Sequence, residues 1–145
     1  MFARLKNLDP SGKQSWMDLP EMSPTARLLL KPAGESNSPY YNAMLRRSAR
    51  RARHLARTDQ VQAEDLAQSR NDDRDLFPQH VIAGWEGLED DAGQLVPYSA
   101  EAAQALCKEL PDWLFDRVRN HAQTPERFLA LGEDPPPDSR AIAGN

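Results

Sequence analysis

The chain has 145 residues, of which 22 are acidic and 18 are Lys or Arg, giving a net charge of −4. That length suits one domain, and so small a charge does not hold a chain unfolded. Leu, Ile, Val and Phe number only 27, so the core is expected to be thin, filled out by Ala and three Trp, and reinforced by partner binding.

The lone Cys107 excludes an internal disulfide and a cysteine-rich metal site. It falls on the apolar side of a predicted helix, as a buried thiol rather than a nucleophile. Residues 1–30 contain no apolar signal-peptide core, and the run Leu28-Leu29-Leu30 is far too short to span a bilayer. A reducing, cytoplasmic setting follows by elimination.

After a turn at Asp9-Pro10-Ser11-Gly12, residues 15–19 (SWMDL) and 26–31 (ARLLLK) are short runs bounded by prolines. They read as two strands of a hairpin that must lean on helices. Ser38 and Pro39 then open a helix whose inner face is Tyr41, Met44, Leu45, Ser48, Ala52, Leu55 and Ala56. Asp59 and Gln62 resemble a capping box for a second helix at about 60–70, with Val61, Ala63 and Leu66 inward.

Residues 71–75 (NDDRD) suit the start of a third helix, since carboxylates oppose the positive end of the dipole. Leu76, Phe77, His80, Val81, Gly84 and Trp85 follow at helical spacing, which places Pro78 in the first turn. Gly84, Gly87, Asp91 and Gly93 mark a structural turn, and residues 94–98 a short extended segment. Ser99 caps a helix with Ala103, Leu106, Cys107 and Leu110 inward; Pro111 starts another with Leu114, Phe115, Val118 and Ala122 inward. Thr124 and Pro125 open a last one, ended by Gly132, and residues 133–145 (EDPPPDSRAIAGN) form a Pro-rich flexible tail. The expected fold is mainly α (α+β): an N-terminal β-hairpin, about five or six helices and one short extended segment, in a single domain over 1–132.

Six arginines fall within residues 46–57, with Arg46, Arg50, Arg53 and Arg57 along one helix face. Such a stripe suits phosphates, an acidic protein, or intramolecular pairing with the acids at 64–75. An acidic chain with no aromatic residue between these arginines argues against nucleic acid. The three histidines are 26 and 41 residues apart, without nearby ligands at helical spacing, so no metal is expected. The segment EDDAG fails the calcium-loop pattern, having Leu88 and Ala92 where oxygen ligands are needed. No Gly-rich phosphate loop and no nucleophile elbow occur, so neither a cofactor nor enzymatic activity is expected. Most aromatics are assigned to the core, with Trp85 and Trp113 as candidate anchors for a partner helix.

The order Gly84-Trp85-Glu86-Gly87, Asp91-Ala92-Gly93, Val96-Pro97-Tyr98-Ser99, Leu106, Pro111 and Phe128, with Trp16 and residues 26–31 upstream, resembles the tail assembly chaperones of long-tailed bacteriophages. The resemblance covers most of residues 15–130, and its motifs are structural. It implies a non-enzymatic, mostly helical protein of the bacterial host cytoplasm. Such a protein binds the tape-measure protein, keeps it soluble, helps recruit tail-tube protein, and is absent from the mature virion; self-association is also open. Two alternatives remain: a structural tail adaptor or completion protein retained in the virion, and a small nucleic-acid-binding regulator using the arginine helix.

Overall fold

A computed structural model of the protein describes residues 4–58 and 63–129. The expected capping box at 59–62, Gly132 and the tail at 133–145 lie outside the described residues. So do the side chains of residues 54–58, 63 and 64, Arg57 among them.

After a 3-10 turn at Leu5–Leu8, strands β1 (Ser15–Asp18) and β2 (Arg27–Leu30) form the expected hairpin. Prolines at 20, 24 and 32 keep both strands short. The register is antiparallel, with Ser15 opposite Leu30 and Met17 opposite Leu28. Alternation does the sorting: Met17, Leu19, Leu28 and Leu30 are buried on one face, while Trp16 and Asp18 stay exposed on the other.

Helix α1 (Ser38–Thr58) follows the loop after Pro32. Its cap is Asn37, one residue earlier than expected, whose Oδ1 accepts from the Tyr40 N–H at 3.4 Å. The Asn37 amide also donates to the carbonyls of Pro32 and His80, both at 2.9 Å. One side chain thereby joins the loop after β2, the start of α1 and the backbone at His80.

Helix α2 (Ala63–His80) is a single element where two helices were expected. The NDDRD segment lies inside it, and Pro78 sits in its last turn rather than its first. The expected helix through Gly84 and Trp85 is instead strand β3 (Ile82–Glu86). It pairs antiparallel with β2, opposing Arg27 to Glu86 and Leu28 to Trp85, with a bulge near Leu30. The sheet order is therefore β1-β2-β3.

A loop from 87 to 98 returns over β3, carrying an isolated bridge between Glu89 and Leu95 rather than a strand of its own. Helix α3 (Ala100–Glu109) starts where expected: Ser99 Oγ accepts from the Ala102 N–H at 3.0 Å. Helix α4 (Asp112–Ala122) follows Pro111, and Pro125–Phe128 is a 3-10 turn. The described elements thus comprise four α-helices, two 3-10 turns and a three-stranded antiparallel sheet, an α+β fold.

The helices pack on the buried face of the sheet around Phe77, which meets Tyr40 and Phe115 edge-to-face at 5.8 and 5.5 Å. Cys107, Leu114, Phe115 and Val118 are buried as the periodicity required. Leu45 and Leu66, expected inward, are 44 % and 73 % exposed, and Ala52 is exposed too. The reason is that the seam between α1 and α2 is polar: Arg47 and Arg51 of α1 face Asp72 of α2. That rotates α1 so that Tyr40, Ala43, Met44 and Ser48 turn inward.

Candidate interaction surfaces

The arginine cluster divides in two. Arg47 reaches Asp72 at 3.4 Å and Asp75 at 3.0 Å, and Arg51 pairs with Asp72, which also accepts from Gln68 at 3.1 Å. Burial pushes the Asp72 carboxyl up, but the hydrogen bonds from Arg51, Gln68 and Arg47 outweigh it and leave the group below its ordinary value. Arg46, Arg50 and Arg53 are exposed on the outer face of α1. Among the described residues they form no salt bridge. Exposed Leu45 and Ala49 flank them on one side, so the cationic face borders a small apolar strip.

Carboxylates of α2 and α4 organise the interior. Asp73 accepts from the Tyr40 hydroxyl and from Arg119 Nε, both at 2.8 Å. Arg119 also reaches Asp116 at 3.0 Å, and Asp116 receives Arg70 in a two-pronged contact at 3.0 and 2.7 Å. Arg74 donates to the carbonyls of Cys107 at 2.6 Å and Leu110 at 2.9 Å and to Asp112 at 2.6 Å, tying off the turn between α3 and α4. These acidic side chains tie α2, α4 and the α3–α4 turn together.

Trp85 holds the returning loop: its indole N–H donates to the Val96 carbonyl at 2.7 Å, and its ring meets Tyr98 edge-to-face at 5.1 Å. Gly87 has φ +70° and packs against Thr25, and its carbonyl accepts from Ser23 Oγ. Gly93 has φ +76° in a turn built on Asp90, whose carboxylate accepts from the N–H groups of Ala92 and Gln94 at 2.9 Å. Asp91 is exposed beside it, and Gly84 lies within β3. Trp113, in contrast, is 61 % exposed on α4, with the Arg117 guanidinium 6.0 Å from its ring centre.

A groove of about 580 Å³ runs between β1 and α4, a feature not expected from the sequence. Trp16, Met17 and Asp18 form one side; Arg117, Asn120, His121 and Thr124 form the other, with Arg127 at its end. Positions 117, 120 and 121 share one face of α4, a spacing legible in the sequence once α4 is known to run beside β1. Ser15 Oγ lies 2.9 Å from His121 Nε2. Burial, then the charge of Arg127, pushes the imidazole down to about 4, so it is neutral near pH 7. The contact straps β1 to α4.

Burial pushes the Cys107 thiol up to about 12, a poor nucleophile. Among the described residues no group of three or more His, Cys, Asp or Glu is placed to hold a metal ion. None of their helices is long and apolar enough to cross a membrane.

No curated protein and no solved structure matches the chain. The family model described as YdaY prophage protein matches residues 36–131, from the loop before α1 through the last 3-10 turn and past it. The match leaves out the β1–β2 hairpin but spans about two thirds of the sequence. The chain therefore belongs to the YdaY prophage protein family.

Proposed function

We propose that this prophage protein is a non-catalytic assembly factor of the tail-chaperone kind, binding the tape-measure protein and helping to recruit tail-tube subunits. The observation that carries the reading is the division of the arginine cluster. Arg47 and Arg51 are neutralised by α2, whereas Arg46, Arg50 and Arg53 face solvent on a 21-residue helix. A long helical client that carries acids beside an apolar stripe is complementary to cations flanked by exposed Leu45 and Ala49. Modest affinity per copy becomes firm retention when many copies line one client. The phage origin of the family and the resemblance of the 84–128 segment support the same role.

Co-expression with the tape-measure protein of the same prophage tests it. Arg46→Glu/Arg50→Glu/Arg53→Glu, at exposed sites outside the core, should lower retention on the client by roughly 10- to 100-fold. The wild-type complex should weaken with added salt. Unchanged retention by the triple variant would overturn the stripe as the client face. Finding the protein in purified particles would favour an adaptor over a chaperone.

A further inference from the structure

Among the described residues strand β1 is an edge of the sheet, with β2 as its neighbour. The Leu19 N–H donates to the Ala26 carbonyl at 2.8 Å. Hydrogen-bonded pairs alternate along an antiparallel ladder, so Ser15, Met17 and Leu19 direct their backbone groups toward β2. The N–H and C=O of Trp16 and Asp18 then point outward. Among the described residues no other backbone group takes them up. An open edge of this kind is a template for another strand.

That edge borders the groove against α4, and the two walls are pinned at both ends. Ser15 meets His121 at one end, and Glu21 receives Arg117 in a two-pronged contact at 2.6 and 2.7 Å at the other. An edge strand beside a fixed helix is the arrangement that captures peptides by strand addition, with the main chain supplying affinity and alternate side chains supplying selectivity. Charge selects the occupant. Arg117 is already engaged by Glu21, whereas Arg127 forms no salt bridge among the described residues and lies by His121, at the Ser15 end. Asp18 stands toward the other end and repels an acid there. Trp16, held by the Arg27 guanidinium 4.0 Å from its ring centre, offers a flat face to an aliphatic side chain.

We infer that an extended, acidic segment of a partner protein docks as a fourth strand on β1, its main chain bonding to Trp16 and Asp18 and a carboxylate meeting Arg127. This surface lies on the hairpin and α4, apart from the α1 stripe, so it stands or falls separately from the client face.

The test is a titration of the ¹⁵N-labelled full chain with a blocked peptide of alternating glutamate and valine, with a lysine–valine peptide as control. Trp16 and Asp18 amide resonances should shift, and their hydrogen exchange should slow by at least about tenfold at saturation. Asp18→Pro removes an outward N–H without touching the β2 ladder and should abolish binding, while Asp18→Asn should keep it. Arg127→Glu should weaken the acidic peptide by roughly tenfold or more. Unaltered exchange at Trp16 and Asp18 with millimolar peptide would overturn the inference, as would shifts confined to α1 or equal binding by Asp18→Pro. Protection that grows with protein concentration without peptide would assign the edge to a second copy and overturn it as well. Should Asp18→Pro fail to fold, the wild-type exchange rates and Arg127→Glu decide alone.

Discussion

Arg119→Met removes the guanidinium that faces Asp73, whose side chain is 4 % exposed. The carboxylate is left with the Tyr40 hydroxyl as its one remaining donor of the two described. Breaking a buried pair from one side costs about 3–5 kcal/mol, a large part of the roughly 5–15 kcal/mol that holds a domain this size together. Asp116 and Ser69 also lose a partner, but Asp116 keeps Arg70 and is 38 % exposed, so it adds little. Burial already raises the Asp73 carboxyl above its ordinary value despite both hydrogen bonds, and losing Arg119 raises it further. A carboxyl with a raised folded-state pKa favours the fold below the unfolded value and loses that contribution as pH rises through the folded one. The penalty of Arg119→Met should therefore be greatest near pH 7 and shrink toward pH 4, as Asp73 takes up a proton. Asp73→Leu/Arg119→Met removes both charges and leaves the Tyr40 hydroxyl unpaired, at a cost of about 1–3 kcal/mol. The double variant should then be more stable than the summed single losses by roughly 2 kcal/mol or more. Urea unfolding followed by far-ultraviolet circular dichroism at both pH values measures all of these. A single-variant loss below about 1 kcal/mol near pH 7, or equal losses at both pH values, would refute the buried-pair argument.

Two further perturbations probe the fold at separate places. A Cβ at Gly87 would lie 2.5 Å from the Thr25 carbonyl oxygen in a left-handed backbone, whereas one at Gly93 has the same backbone strain and open space. Gly87→Ala should cost about 2–4 kcal/mol and Gly93→Ala about 1 kcal/mol, and equal melting temperatures for the two would show that the 87–25 contact yields freely. His121, neutral in the fold and held down to about 4, takes up a proton more readily in the unfolded chain, so stability should fall as pH drops from about 6.5 to 4. Allowing for its partial exposure, its share is about 1–2 kcal/mol; His121→Asn should flatten the decline in that window, and an unchanged slope would place the burial cost elsewhere.

The legible parts of the fold are those set by local chemistry. Prolines delimit β1 and β2, Ser99 caps α3, and the periodicity of residues 103–122 places the buried side of α3 and α4. The α2–β3 boundary was not legible because Leu76, Phe77, Val81 and Ile82 are all buried, and a continuous buried run has the same pattern in helix or strand. The NDDRD segment looks like a helix start because its acids would suit the dipole. Its actual partners are Arg47, Arg51 and Arg119, brought from α1 and α4 by tertiary packing. The arginine stripe was visible as a stripe, but which of its members remained free depended on the position of Asp72. The β1–α4 groove joins residues about a hundred positions apart, and no local spacing announces such a neighbour.

The same pairing decides what the surface offers a partner. A net charge of −4 spread evenly would repel an acidic client. Here several acids of α2 and α4 are turned to the seams between helices, where Asp72, Asp73 and Asp116 engage Arg51, Arg119 and Arg70. Apart from Arg4, the arginines without salt bridges among the described residues are Arg46, Arg50 and Arg53 on α1 and Arg127 beside β1. Screening limits each charge to a range of about 8 Å at physiological ionic strength, so a partner feels the local patch and not the sum over the chain. An acidic chain can therefore present local cationic faces where the nearby carboxylates, Asp72, Asp73 and Asp116, are committed to holding the helices together. The polar seam between α1 and α2 serves the fold and, by turning α1, sets the outward stripe as well.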